Sequence, residues 1–232
     1  MNQCKATIIS DATIEKIYNV DNLSKINIDY NNCDDVTKIK HVCISLYDKN
    51  GNIINHKQKL RYKCSLDLEY IPVVREYYAD KKLRGKSNSG KVAYHHIFAL
   101  SVKGDGTARQ IANNENELYK ANSFKEIHID ATADGIIVWP RMGFEYVNPT
   151  DLDIFMTKFD MYLDEYRADI DTNLKDEILD AIEKDGIKDL DKNLFSYLKS
   201  PEQPSSYLSF SDWYEKNTPT NETLLELYKE VK

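Results

Sequence analysis

The chain has 232 residues, is 41% hydrophobic and 30% charged, and contains 8 Gly and 6 Pro. Glycine and proline are too scarce for a collagen or a low-complexity linker, and 16 Tyr with 7 Phe are too many for a disordered chain. The net charge of -7 is concentrated, since residues 150–186 hold 12 acids against four bases, and a remainder so nearly neutral argues against a nucleic-acid binder.

No apolar run approaches the roughly 18 residues of a membrane-spanning helix, so no membrane association is expected. Met1 to Ser10 show no basic stretch followed by an apolar core. The expectation is a cytoplasmic protein whose four cysteines (Cys4, Cys33, Cys43 and Cys64) are reduced, small apolar residues. None of them forms a C-x-x-C pair or stands at zinc-finger spacing from a histidine, and no metal site is expected.

In chain order, residues 1–40 give no clear register. His41 to Tyr47 is β-branched and aromatic, and Asn50-Gly51 before Asn52-Ile-Ile signals a hairpin. Its second arm can run on through Leu60 to Leu66. Val73 to Leu83 reads as a helix-permissive stretch opened by Pro72. The basic run Lys81 to Lys86 reads as solvated loop charge, and Lys86 to Gly90 as a polar breaker. Lys91 to Val102 is nearly continuous apolar and aromatic sequence, as a buried strand requires.

Lys103-Gly-Asp-Gly-Thr-Ala108 then leads into a helix to Ala121, and Lys125 to Ala131 alternates like a strand. Asp134 to Arg141 is a short helix interrupted near Pro140, and Glu145 to Val147 is extended. Leu152, Phe155, Met156, Phe159, Tyr162, Leu163 and Tyr166 form the apolar stripe of an amphipathic helix. Leu174, Ile178, Leu179 and Ile182 suggest a second helix stopped near Gly186. Leu224, Leu225, Tyr228 and Val231 suggest a last helix, opened by Thr218-Pro219. The fold class is therefore mixed αβ over residues 1–149, with an acidic helical extension over 150–232. The stripe after Leu152 suits an intramolecular core, and a homodimer interface through the C-terminal helices would look the same.

The turn at residues 103–108 carries the chemistry. First-turn amides of a helix lack partners and attract anions, and Gly104 and Gly106 let backbone approach a phosphate closely. It is not a P-loop, because no Gly-Lys-Ser/Thr closes it. It is not the dinucleotide fingerprint, because Arg109 stands where a third glycine belongs.

Together with the strand before it and the elements up to Phe144, this turn resembles the GNAT superfamily of acetyl-CoA-dependent N-acetyltransferases. That family carries an Arg/Gln-x-x-Gly-x-Gly/Ala turn after its fourth strand, then a helix, a fifth strand, a short helix and a Gly-Phe pair, here Gly143-Phe144. The likeness is clearest over residues 94–144. It implies a GNAT-like central mixed sheet flanked by helices. Lys103, Gly104, Gly106, Thr107 and Ala108 would hold the coenzyme A pyrophosphate, and Phe98, Ala99, Leu100 and Ser101 would lie along the pantetheine arm. Lys103 keeps the charge of the usual arginine and loses its planar fork. The family's frequent proton-donating Tyr is replaced, since Val138 and Trp139 stand where Phe-Tyr is common.

Its fourth-strand carboxylate is also absent, and that stretch offers His95 and His96, of which at most one faces a cleft. Either could take a proton from an amine, and either could be a core histidine. Trp139 could line an acyl site and Arg141 could meet an anionic group; equally, Trp139 could be core and Arg141 a helix cap. Two functions stand as expectations. One is transfer of an acetyl group from acetyl-CoA to an amine on a small molecule or peptide, by direct attack. The other is a catalytically inactive GNAT-like module that binds a partner.

Overall fold

The computed structural model describes residues 8–30, 39–54, 73–84, 86–98, 106–131, 135–166, 172–189, 210–218 and 225–232. Its elements are α1 (Asp11–Tyr18), β1 (Leu23–Tyr30), β2 (Ile39–Asp48), β3 (Val73–Lys82), β4 (Ser89–Ile97), α2 (Thr107–Ala121) and β5 (Phe124–Ala131). They continue with α3 (Gly135–Arg141), β6 (Glu145–Tyr146), α4 (Pro149–Tyr166), α5 (Thr172–Asp189), α6 (Phe210–Asn217) and β7 (Leu225–Glu230). The fold is mixed αβ, with a seven-stranded mixed sheet in the order β1-β2-β3-β4-β5-β7-β6. The chain divides into two compact units, residues 1–128 with 230–232, and residues 129–229. The sequence boundary at residue 149 falls at the start of α4, inside the second unit.

In the first unit β1 to β4 are consecutive antiparallel neighbours. The Asn50-Gly51 signal is a tight turn: Asp48 N–H donates to the Asn52 carbonyl, and the Asp48 carboxylate accepts from the Asn50 and Asn52 amides. After it, pairing back to β2 is an isolated bridge, Tyr47 with Ile53. The expected continuation through Leu60 to Leu66 lies outside the described residues.

Val73 to Leu83 is not helical but forms β3 as far as Lys82. The spacing of Val73, Val74, Tyr77 and Tyr78 suits either period, and their β-branched and aromatic shapes suit a pleated surface. Helix α1 starts at Ser10, whose hydroxyl accepts from the Thr13 amide, and buries Ile14, Ile17 and Tyr18 against α2. Tyr77, Tyr119 and Phe124 meet at ring centroids 5.1–5.9 Å apart beneath α2.

In the second unit α3 ends in a Schellman cap. Gly143, at φ 84°, donates to the Pro140 carbonyl, and Phe144 donates to that of Trp139. Phe155, Phe159 and Tyr162 of α4 pack on Phe210 and Trp213 of α6, and Trp213 Nε1 donates to Glu165 at 2.8 Å. Phe155, Phe159, Tyr162 and Leu163 of the α4 stripe are thus core, with Leu152 and Met156 half-buried. Helix α5 runs through Gly186 to Asp189 rather than stopping there.

The expected last helix is strand β7, which pairs antiparallel with β6 and buries Leu225 and Leu227. Its six residues alternate, and period 2 wins over the partial helical spacing of Leu225 and Tyr228. Among the described residues no helix is long and apolar enough to cross a membrane.

Cys43, fully buried on β2, is disulfide-bonded to a partner outside the described residues. This corrects the reduced-thiol expectation. β2 is paired on both sides, by β1 and β3, and local sequence gave no signal of the bond.

Candidate functional site

Alternation along β3 and β4 sorts their polar residues onto two faces. Arg75 and His95, opposite one another in register, turn towards α2. Arg75 Nε donates to Glu115 Oε1 at 2.8 Å, and the Tyr18 hydroxyl donates to the same oxygen at 2.9 Å. Arg75 Nη1 also donates to the Val74 carbonyl, and its guanidinium lies 5.2 Å from the Phe98 ring centroid. His95 Nε2 stands 3.3 Å from the Tyr119 hydroxyl, which donates onward to Tyr77.

All of these except Phe98 are buried. Burial opposes the Arg75 charge, but Glu115 outweighs it and raises its pKa. Burial, then the carboxylate of Glu115, raises Tyr18. Burial, then the charge of Arg75, holds His95 well below its ordinary value of 6.5, so the ring is neutral.

The other face carries Glu76, Tyr78, Tyr94 and His96. His96 Nε2 lies 2.9 Å from Glu76 Oε2, and the Tyr78 hydroxyl donates to the same carboxylate. The Tyr94 ring stacks on His96 at 4.4 Å and meets the edge of His128 at 6.0 Å. The Lys81 ammonium sits over two rings, Tyr78 at 4.2 Å and Tyr94 at 4.4 Å.

On β5, His128 Nε2 lies 2.8 Å from Glu126 Oε2, and the Arg84 backbone N–H donates to that oxygen at 2.9 Å. Two carboxylate–imidazole pairs therefore flank Tyr94. Among the described residues no three His, Cys, Asp or Glu gather as a metal site.

The glycine turn is described from Gly106 onward. Gly106 is the N-cap of α2, exposed, at φ 83°, and among the described residues no side chain caps the helix. A Cβ built there would meet nothing within 4 Å. Thr107 is buried and its hydroxyl accepts from Asn22 at 3.1 Å, while Ala108 is exposed. Anion binding at this end therefore falls to backbone amides. Ala99, Leu100, Ser101, Lys103 and Gly104 lie outside the described residues.

Trp139 and Arg141 belong to the second unit. Trp139 is packed edge-on against Phe144 at 5.4 Å and above Gly135, and Arg141 occupies the last turn of α3, where a cation suits the helix dipole. No family model, no curated protein and no solved structure matches the chain.

The structure brings Gly106, Thr107 and Ala108 together at one helix start and separates His95 from His96 by the thickness of the sheet. Sequence reasoning missed Glu76, Glu115, Glu126 and His128. Glu115 falls on the flank of Ile111 and Tyr119, at i+4 and i−4, where a lone carboxylate signals a buried partner. Glu126 and His128 stand two residues apart on a strand, which puts both on one face.

Proposed function

We propose that this chain is an acyl-CoA-dependent N-acetyltransferase that passes the acetyl group of acetyl-CoA to an amine by direct attack. The observation that carries the reading is the start of α2. Among the described residues no side chain caps its first turn, which opens at an exposed left-handed glycine where an added Cβ would meet nothing within 4 Å. The order β4, turn, α2, β5, α3, Gly143-Phe144 agrees with the resemblance.

Backbone amides at Gly106, Thr107 and Ala108 would receive the pyrophosphate, and acetyl-CoA would supply the activated acyl carbon. Most of the rate enhancement would come from positioning. His96, paired with Glu76 and less buried, suits a proton acceptor better than His95, which burial beneath α2 makes a weak base.

A second reading, a catalytically inactive GNAT-like fold that serves as a binding or structural module, draws on Val138 and Trp139. Val138 is exposed and Trp139 is packed into the core, where the family often has a proton-donating Tyr.

Calorimetric titration with acetyl-CoA, with ATP and NAD as controls, tests the reading. Selective binding of about micromolar strength, abolished by Gly106→Val in a protein of unchanged circular dichroism, is the expected result. Binding unchanged in that folded variant would remove the assignment. Selective binding with no turnover on any amine would favour the second reading.

A further inference from the structure

Among the described residues β1 ends the sheet, with β2 as its one strand partner. The β1–β2 register shifts between Leu23 and Lys25 and is regular from Lys25 onward. Every second residue of an edge strand turns its N–H and C=O away from its neighbour, which leaves a row of donors and acceptors along the edge. Proline, glycine or a bulge commonly blunts such a row, and residues 25–29 contain none of these.

The apolar stripe of the sheet also runs out here. Ile26 and Ile28 stand opposite Leu46 and Ile44, which are fully buried, whereas the two isoleucines are only half-buried. Lys25, Asn27 and Asp29 alternate onto the other face. That face is held in place on its own strand pair: the exposed Lys25 ammonium lies 5.5 Å from the Tyr47 ring centroid, and Asn27 Nδ2 donates to the Tyr47 hydroxyl at 3.2 Å.

We propose that β1 joins two copies of this chain into an antiparallel dimer, with the two-fold axis at Asn27. The sequence of the strand complements itself in that register. Lys25 of each protomer faces Asp29 of the other, twice by symmetry, and Ile26 faces Ile28, so the apolar stripe continues across the axis. Moving the axis to Ile26 sets Asp29 against Leu23, and moving it to Ile28 sets Asp29 against Asn27; both lose the ion pairs. A slip of one residue joins the apolar face of one copy to the polar face of the other. The dimer is independent of the coenzyme reading.

Sedimentation equilibrium of the full chain tests it. The expected result is a reversible dimer with a Kd of about 1–100 μM, as suits a short strand contact. Lys25→Asp places Asp opposite Asp at both contacts, and Asp29→Lys places Lys opposite Lys; each should weaken the dimer by about tenfold or more. The double variant, Lys25→Asp with Asp29→Lys, restores both ion pairs and should restore the dimer. Should a variant fail to fold, amide exchange in the wild type decides, because protection of residues 25–29 should rise with protein concentration. A chain that stays monomeric at about 100 μM overturns the proposal. So does a dimer that both single variants leave unchanged, which would put the interface elsewhere, and so does exchange in β1 that is indifferent to concentration.

Discussion

Glu115 is the hinge of the buried network beneath α2, because Arg75 and Tyr18 both donate to one of its oxygens. Removing it leaves a guanidinium in the interior without its counter-charge. Glu115→Ala should therefore destabilise the protein by about 3–5 kcal/mol, read by urea denaturation. A loss below about 1 kcal/mol would mean that the pair is dispensable. His95, beside it, gives a pH signature. Its folded pKa lies well below the ordinary 6.5 of an exposed ring, so between those values the unfolded chain binds the extra proton. Stability is then full above about pH 6.5 and falls as pH drops, by up to about 1.4 kcal/mol per pH unit for each such histidine. His128, also lowered, adds the same sign. Urea midpoints between about pH 7 and pH 5 check this, and His95→Gln should flatten the slope. These residues were poorly legible in the sequence. A buried Arg or Glu looks local and polar until its partner, 40 residues away, is brought across the sheet.

At the scale of elements, the Gly-Phe pair has a local cause that needs no ligand. Gly143 sits at φ 84° as the left-handed residue of the α3 cap, and Phe144 closes the motif against Trp139. Gly143→Ala must put a Cβ in that conformation and should cost about 1–2 kcal/mol, measured by thermal or urea unfolding. No loss would show that the cap relaxes to another geometry. Long periodic elements were readable: α4 follows its stripe from Leu152 to Leu163, and α2 follows the glycine turn. Short ones were not. β7 has six residues, and its Leu225 and Tyr228 match a helical spacing as well as an alternating one. β3 looked helix-permissive because Arg75 and Glu76 break its apolar pattern, yet each is accommodated by a partner, Glu115 on one face and His96 on the other. α1 escaped notice although Ser10, Ile14, Ile17 and Tyr18 spell a capped amphipathic turn.

For the molecule as a whole, the disulfide at Cys43 bears on where and how the chain folds. The spacing of the four cysteines suggested reduced thiols, but Cys43 is buried on β2 and bonded. Structural disulfides form and persist in oxidising surroundings and are rare where glutathione keeps thiols reduced. The bond also restricts the unfolded chain, and losing such a bond typically costs about 2–5 kcal/mol. Two measurements check it. Alkylation of the unfolded protein without reductant, read by mass spectrometry, should leave Cys43 unlabelled. Reduction should lower the thermal midpoint by several degrees, at about 2–4 °C per kcal/mol for a chain of this size. Cys43 labelled in full, with a midpoint indifferent to reductant, would return the protein to the reduced state that its cysteine spacing first suggested.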